Sequence, residues 1–141
     1  MVNILSGINS TTAALNAERV RLDVISENIA NAHATRGPDG KPYQRQVVVF
    51  ESALQNAMDC GTGTQAPAVK VSRIDKDSRP PLMVHDPGHP DADANGYVAF
   101  PHMNPAEEMV DLLNSSRSYQ GNVAAMTAVK DIINRSIDIM R

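Results

Sequence analysis

Apolar side chains recur at two different spacings along the chain. Near the N-terminus, Ile8, Leu15, Leu22 and Ile29 follow one another every seven residues, and Ile4, Thr11, Glu18 and Ile25 stand four residues before each of them. Two rows at this spacing form one stripe on a helix, interrupted here by the polar Thr11 and Glu18. Ala13, Ala14, Ala17, Val20 and Val24 widen the apolar surface. The pattern predicts a helix over residues 4–32, roughly 45 Å long. The C-terminal part repeats the design. Leu112, Tyr119, Met126, Ile133 and Met140 form one row, and Met109, Ser116, Val123, Lys130 and Ile137 its companion. Asn104 can cap the helix, Pro105 fits its first position, and Glu107 stands three residues after the cap. Glu107, Glu108 and Asp111 also complement the positive helix end. A helix over 105–140 would span roughly 54 Å.

The middle follows a different rule. Of the 9 prolines, eight lie from Pro38 to Pro101 and the ninth is Pro105; six of the 8 glycines lie from Gly37 to Gly96. Proline removes a donor and glycine adds backbone freedom, so both interrupt helices. Gly7 and Gly121 are the two glycines inside the predicted helices. Residues 37–40 (GPDG) read as a turn. Strands are expected at 43–50 and 68–74, with Val69, Val71 and Arg73 on one face of the second, and a last short one at 96–100; residues 82–84 are a short apolar piece. Residues 54–58 are too short to assign, and Cys60 opens a Gly/Thr-rich loop. The expected fold is therefore mainly α with a small β insertion. Residues 1–33 and 104–141 would form a helical coiled-coil domain, with an irregular β unit over 34–103.

Composition supports helix seams over a ring-filled core. Aromatics make up 4% of the 141 residues and there is no Trp. The net charge is −3, with no basic stripe to meet phosphates, which argues against nucleic-acid binding. No apolar run reaches the length of a membrane span, so no direct membrane insertion is expected. No basic segment leads into an apolar run and cleavage site, so no cleaved secretory signal is expected. A single Cys60 excludes an internal disulfide and a Cys-based zinc site.

Candidate chemistry is thin. His85 and His89 lie near Asp86, Asp91 and Asp93, but Pro87 and Gly88 prevent them from sharing a helical face. A solvated turn explains that segment better than a metal site. The sequence contains no nucleophile elbow and no phosphate-binding glycine loop. Neither catalysis nor a cofactor is expected. Glu18 reads as an interhelical contact, and Met109, Met126 and Met140 as packing residues.

Three stretches carry a family resemblance. Residues 26–32 (SENIANA) resemble the motif that closes the N-terminal helix of the flagellar axial proteins, which include rod, hook and hook-associated subunits. Residues 85–98 (HDPGHPDADANGYV), continuing to Pro101 and Asn104, resemble the signature of the proximal-rod subunits of that family. Residues 108–112 (EMVDL) and 117–123 (RSYQGNV) resemble the same subunits' C-terminal helix. The resemblance spans essentially the whole chain. It implies a structural subunit of the basal-body rod, with terminal helices forming the inner layer of a hollow shaft that transmits torque across the periplasm. It also implies copies of itself and other rod proteins as partners, and export through the flagellar type III apparatus. The expected assembly interface is Ile8, Leu15, Leu22, Ile25, Asn28, Ile29 and Asn31 on the first helix. On the second it is Met109, Leu112, Tyr119, Asn122, Val123, Met126, Ile133 and Ile137. The alternative reading is a soluble helical-hairpin adaptor that forms no filament.

Overall fold

The computed structural model describes residues 4–53 and 68–139. Residues 54–58, the Cys60 loop and Met140 lie outside the described residues. Helix α1 covers Ile4–Ala30 and helix α2 covers Pro105–Ile139. Between them lie strands β1 (Gln46–Ala53), β2 (Ala68–Lys76), β3 (Leu82–His85) and β4 (Tyr97–Phe100). A mainly α chain with a β insertion is what the periodicity predicts.

Each helix ends where its local chemistry changes. At the end of α1 the bonding tightens, with Ala32 N–H donating to the Ile29 carbonyl at 3.2 Å. A turn then closes at residues 37–40, with Gly40 N–H bonded to the Gly37 carbonyl at 3.0 Å and Gly40 at φ 70°. At the start of α2, Asn104 Oδ1 accepts from Ala106 N–H at 3.1 Å, and its Nδ2 donates to Glu107 Oε1 at 3.3 Å. The expected cap is therefore in place.

The two helices pack on each other, and the end of α1 meets the first turns of α2, so they run in opposite directions. At 27 and 35 residues they are about 40 and 52 Å long. The row Leu112, Tyr119, Met126 and Ile133 is half-buried. The companion residues Met109, Val123 and Ile137 are exposed.

The β insertion consists of two separate antiparallel pairs, β1–β2 and β3–β4. The first leans on α1. It contains a bulge after Val49: Val49 faces Arg73, whereas Phe50 faces Val71. The extra residue breaks the alternation expected over 68–74. Val71 is half-buried, whereas Val69 and Arg73 are exposed. The first strand begins at Gln46 rather than residue 43, because the preceding main chain is strapped to the segment that follows α1. There Tyr43 N–H donates to the Ala34 carbonyl at 3.2 Å.

The β3–β4 loop is self-bonded. Asp93 Oδ1 accepts from Asn95 N–H at 2.8 Å and from Tyr97 N–H at 2.9 Å, and Gly96 turns the chain at φ 79°. Val98 of β4 is buried, and the chain runs from it through buried Pro101 into α2. The β insertion thereby fixes where α2 begins.

Candidate functional site

The most organised polar cluster joins all three parts of the fold. Asn28, on the last turns of α1, is 1% exposed and makes four hydrogen bonds. Its Oδ1 accepts from Gln46 N–H and from the Tyr43 hydroxyl, each at 2.9 Å. Its Nδ2 donates to the Gln46 carbonyl at 2.9 Å and to Glu108 Oε2 at 3.1 Å. The amide thus bonds both main-chain groups of Gln46, as an opposing strand residue would, and uses its full capacity. Glu108, also 1% exposed, completes the arrangement by accepting from Arg45 Nε. Arg45 Nη2 lies 3.7 Å from Asp111 Oδ2. A buried carboxylate is tolerable here because it has two donors and sits in the first turns of a helix. Burial raises the Tyr43 hydroxyl pKa above its ordinary value, the Glu27 and Glu108 carboxylates add to this, and a hydrogen bond with Gln46 opposes it.

This clasp holds α1, β1 and α2 in one register. Sequence reasoning missed Tyr43, Arg45, Gln46 and Glu108 as a group. One available signal was Asn28 itself, a polar residue four positions after Val24 and three after Ile25 on the apolar face. From the sequence Glu108 reads as a complement to the helix dipole and as the first residue of the 108–112 stretch, not as a partner of Asn28.

The predicted interface residues fall into three environments. Ile25 and Asn28 are buried inside the chain, Asn28 within the clasp. Ile8, Leu15, Leu22, Ile29 and Asn31 are half-buried on α1, as are Leu112, Tyr119, Asn122, Met126 and Ile133 on α2. Met109, Val123 and Ile137 are exposed at 50%, 41% and 54%. Leu113 and Ile132, which the periodicity did not single out, are exposed beside them.

The histidines take structural contacts. His85 stacks edge-on against Tyr97 with ring centroids 5.1 Å apart, and His89 Nδ1 accepts from Asp91 N–H at 3.1 Å. Among the described residues, no group of His, Cys, Asp and Glu is placed to hold a metal ion, and no helix is long and apolar enough to cross a membrane.

Long helices with surplus apolar surface, clasped to a small β unit, define a structural protein built to associate. Comparison with known proteins gives the family. Residues 8–38 match the flagella basal body rod protein model, and residues 94–139 match the C-terminal model of the flagellar basal body rod FlgEFG proteins. The flagellar basal-body rod protein FlgC of Bacillus subtilis is 40% identical, covering 94% of this chain and 95% of its own. That of Borreliella burgdorferi is 36% identical over 99% of both chains, and that of Aquifex aeolicus 31% over 98% of both. The chain belongs to the FlgC family of flagellar basal-body rod proteins. It is a structural subunit of the flagellar rod and not an enzyme, and the soluble-adaptor reading is not favoured.

Proposed function

We propose that the chain enters the rod through its terminal helices, which pack against helices of other copies and of other rod proteins in a coiled-coil layer, with the β unit outside. The observation that carries this reading is the pair of apolar rows on α2. One row, Leu112, Tyr119, Met126 and Ile133, is half-buried, and the other, containing Met109, Val123 and Ile137, is exposed among the described residues. Large apolar side chains exposed along one helix face, alternating here with Ser116 and Lys130, mark an association surface. The domain division at residues 33 and 104, and the α1 residues Ile8, Leu15, Leu22, Ile29 and Asn31, belong to the same proposal. So do passage through the flagellar type III export apparatus and a position across the periplasm. Export as an unfolded chain fits a fold whose fully buried hydrophobic residues, among those described, are only Ala17, Val24, Ile25, Ala32 and Val98.

The test is a double substitution, Val123→Asp with Ile137→Asp, in a strain whose motility depends on this protein. Both positions are exposed, so each charge should change the free chain's stability by no more than about 0.5 kcal/mol. Rod assembly and motility should be lost while the purified chain keeps its circular dichroism spectrum. Normal rods with both charges in place would rule out this face as the interface.

A further inference from the structure

The loop between β3 and β4 contains a reactive dipeptide, Asn95–Gly96. Of the chain's asparagines, only Asn95 is followed by glycine. Asparagine before glycine is the pair most open to attack by the main chain on the side-chain amide, because glycine has no Cβ to crowd the ring that forms. Asn95 is exposed, and its side-chain amide has no hydrogen-bond partner among the described residues. The side chain itself is therefore free to react.

The main chain is not. Gly96 N–H, whose nitrogen would be the nucleophile, donates to the Asp93 carbonyl at 3.0 Å. Asp93 Oδ1 accepts from Asn95 N–H at 2.8 Å on one side of it and from Tyr97 N–H at 2.9 Å on the other. The Gly96 carbonyl accepts from Asp86 N–H, and the Tyr97 carbonyl from Asp93 N–H, each at 2.9 Å. The Gly96 nitrogen thus keeps its proton, and the peptide unit between residues 95 and 96 is free to rotate toward the side chain only when these bonds open. Asp93 takes part in four of the five bonds.

We propose that Asn95 is a deamidation site guarded by Asp93: the closed loop keeps the Gly96 nitrogen bonded and pinned, and the site reacts when the loop opens. In that step the Gly96 nitrogen gives its proton to base and bonds to Asn95 Cγ. The Cγ–N bond of the side chain breaks, and its nitrogen takes a proton from water and leaves as ammonia. Water then opens the succinimide at either carbonyl, giving aspartate or isoaspartate at position 95. Isoaspartate lengthens the main chain there, so Asp93 Oδ1 can no longer meet both flanking N–H groups, and the pairing of His85 with Tyr97 is lost. The modification records the time a chain has spent open, and once made it holds the loop open.

The experiment follows deamidation at position 95 in the full chain at mildly alkaline pH, in buffer and in guanidinium chloride, by mass spectrometry of the peptide that contains it. Each guarding bond suppresses opening by about fivefold, so wild type should convert at least roughly tenfold slower in buffer than in denaturant. Asp93→Ala removes the two side-chain bonds and should convert roughly tenfold faster than wild type in buffer, but at the wild-type rate in denaturant. Asp93→Asn keeps the accepting oxygen and should stay as slow as wild type. Circular dichroism on both variants separates loss of the guard from loss of the fold. No conversion in denaturant would refute the site, and equal wild-type rates in the two solvents would refute its protection. An alanine variant that is folded and as slow as wild type would overturn the role of Asp93. Should alanine unfold the chain, the asparagine variant decides: slow conversion in its folded form sustains the acceptor as the guard, and fast conversion refutes it.

Discussion

At the scale of single residues, Asn28 carries more structure than any apolar residue near it. Truncation to alanine leaves Gln46, the Tyr43 hydroxyl and Glu108 without their shared partner in a buried place. Asn28→Ala should therefore cost about 2–4 kcal/mol, read from the shift in urea midpoint. Asn28→Asp should cost more, because a second carboxylate would stand where Nδ2 now lies 3.1 Å from Glu108 Oε2. A smaller loss for Asp than for Ala would show that the pair does not depend on the amide donor. Tyr43 adds a pH signature. Its hydroxyl is held above the ordinary value of 10.0, chiefly by burial and next by Glu27. The unfolded chain then releases this proton at lower pH than the folded one. The contribution is complete below about pH 10 and is lost as pH rises through the folded value. Tyr43→Phe should remove that alkaline loss in a denaturation series, while lowering stability at neutral pH through the lost bond to Asn28.

At the scale of elements, the two glycines at positive φ give a paired prediction. Gly40 has open space around the position of a Cβ, whereas at Gly96 a Cβ would lie 3.2 Å from Pro87 Cβ and 3.3 Å from His85 Nε2. Gly40→Ala should cost about 1 kcal/mol for the left-handed backbone alone. Gly96→Ala should cost more and loosen the β3–β4 pair, visible as broadened or shifted amide resonances of Tyr97 and Val98. The helices were legible because seven-residue spacing, Asn104 and Pro105 act locally. The strands β2 and β4 were legible from β-branched runs bounded by turn formers, whereas β3 showed only as a short apolar piece. The bulge after Val49 was not, because it depends on which residue of β2 lies opposite. Nor was the clasp, because Asn28 and Glu108 are 80 residues apart and only the closed fold brings them together. The seven-residue periodicity marks two rows on α2, and the row Leu112, Tyr119, Met126 and Ile133 is half-buried. It could not separate that row from Met109, Val123 and Ile137, since spacing alone does not tell which row the fold leaves exposed.

At the scale of the whole molecule, the accessible surface is 10440 Å². A compact monomer of 15.2 kDa would expose roughly 7,100 Å². Among the described residues, the long helices and thin β pairs leave large apolar side chains such as Leu113, Ile132 and Ile137 exposed. Association driven by that surface should be apolar in character. Raising salt from about 0.05 to about 0.5 M should leave self-association unchanged or tighten it, as measured by sedimentation. Clear weakening with salt would instead point to ion pairs as the main contacts. The clasp has a further consequence at this scale. Apolar rows that repeat every seven residues would match almost as well if one helix slid by a full repeat, about 10.5 Å. Sliding would leave the seam intact but pull Glu108 away from Asn28 and Arg45. The clasp therefore works as a key in a keyway, rejecting a misfit that greasy surfaces alone would accept. Every copy leaves folding with the same overhang of α2 past α1, cut to one gauge, and a shaft stacked from such parts accumulates no length error from its helix pairs.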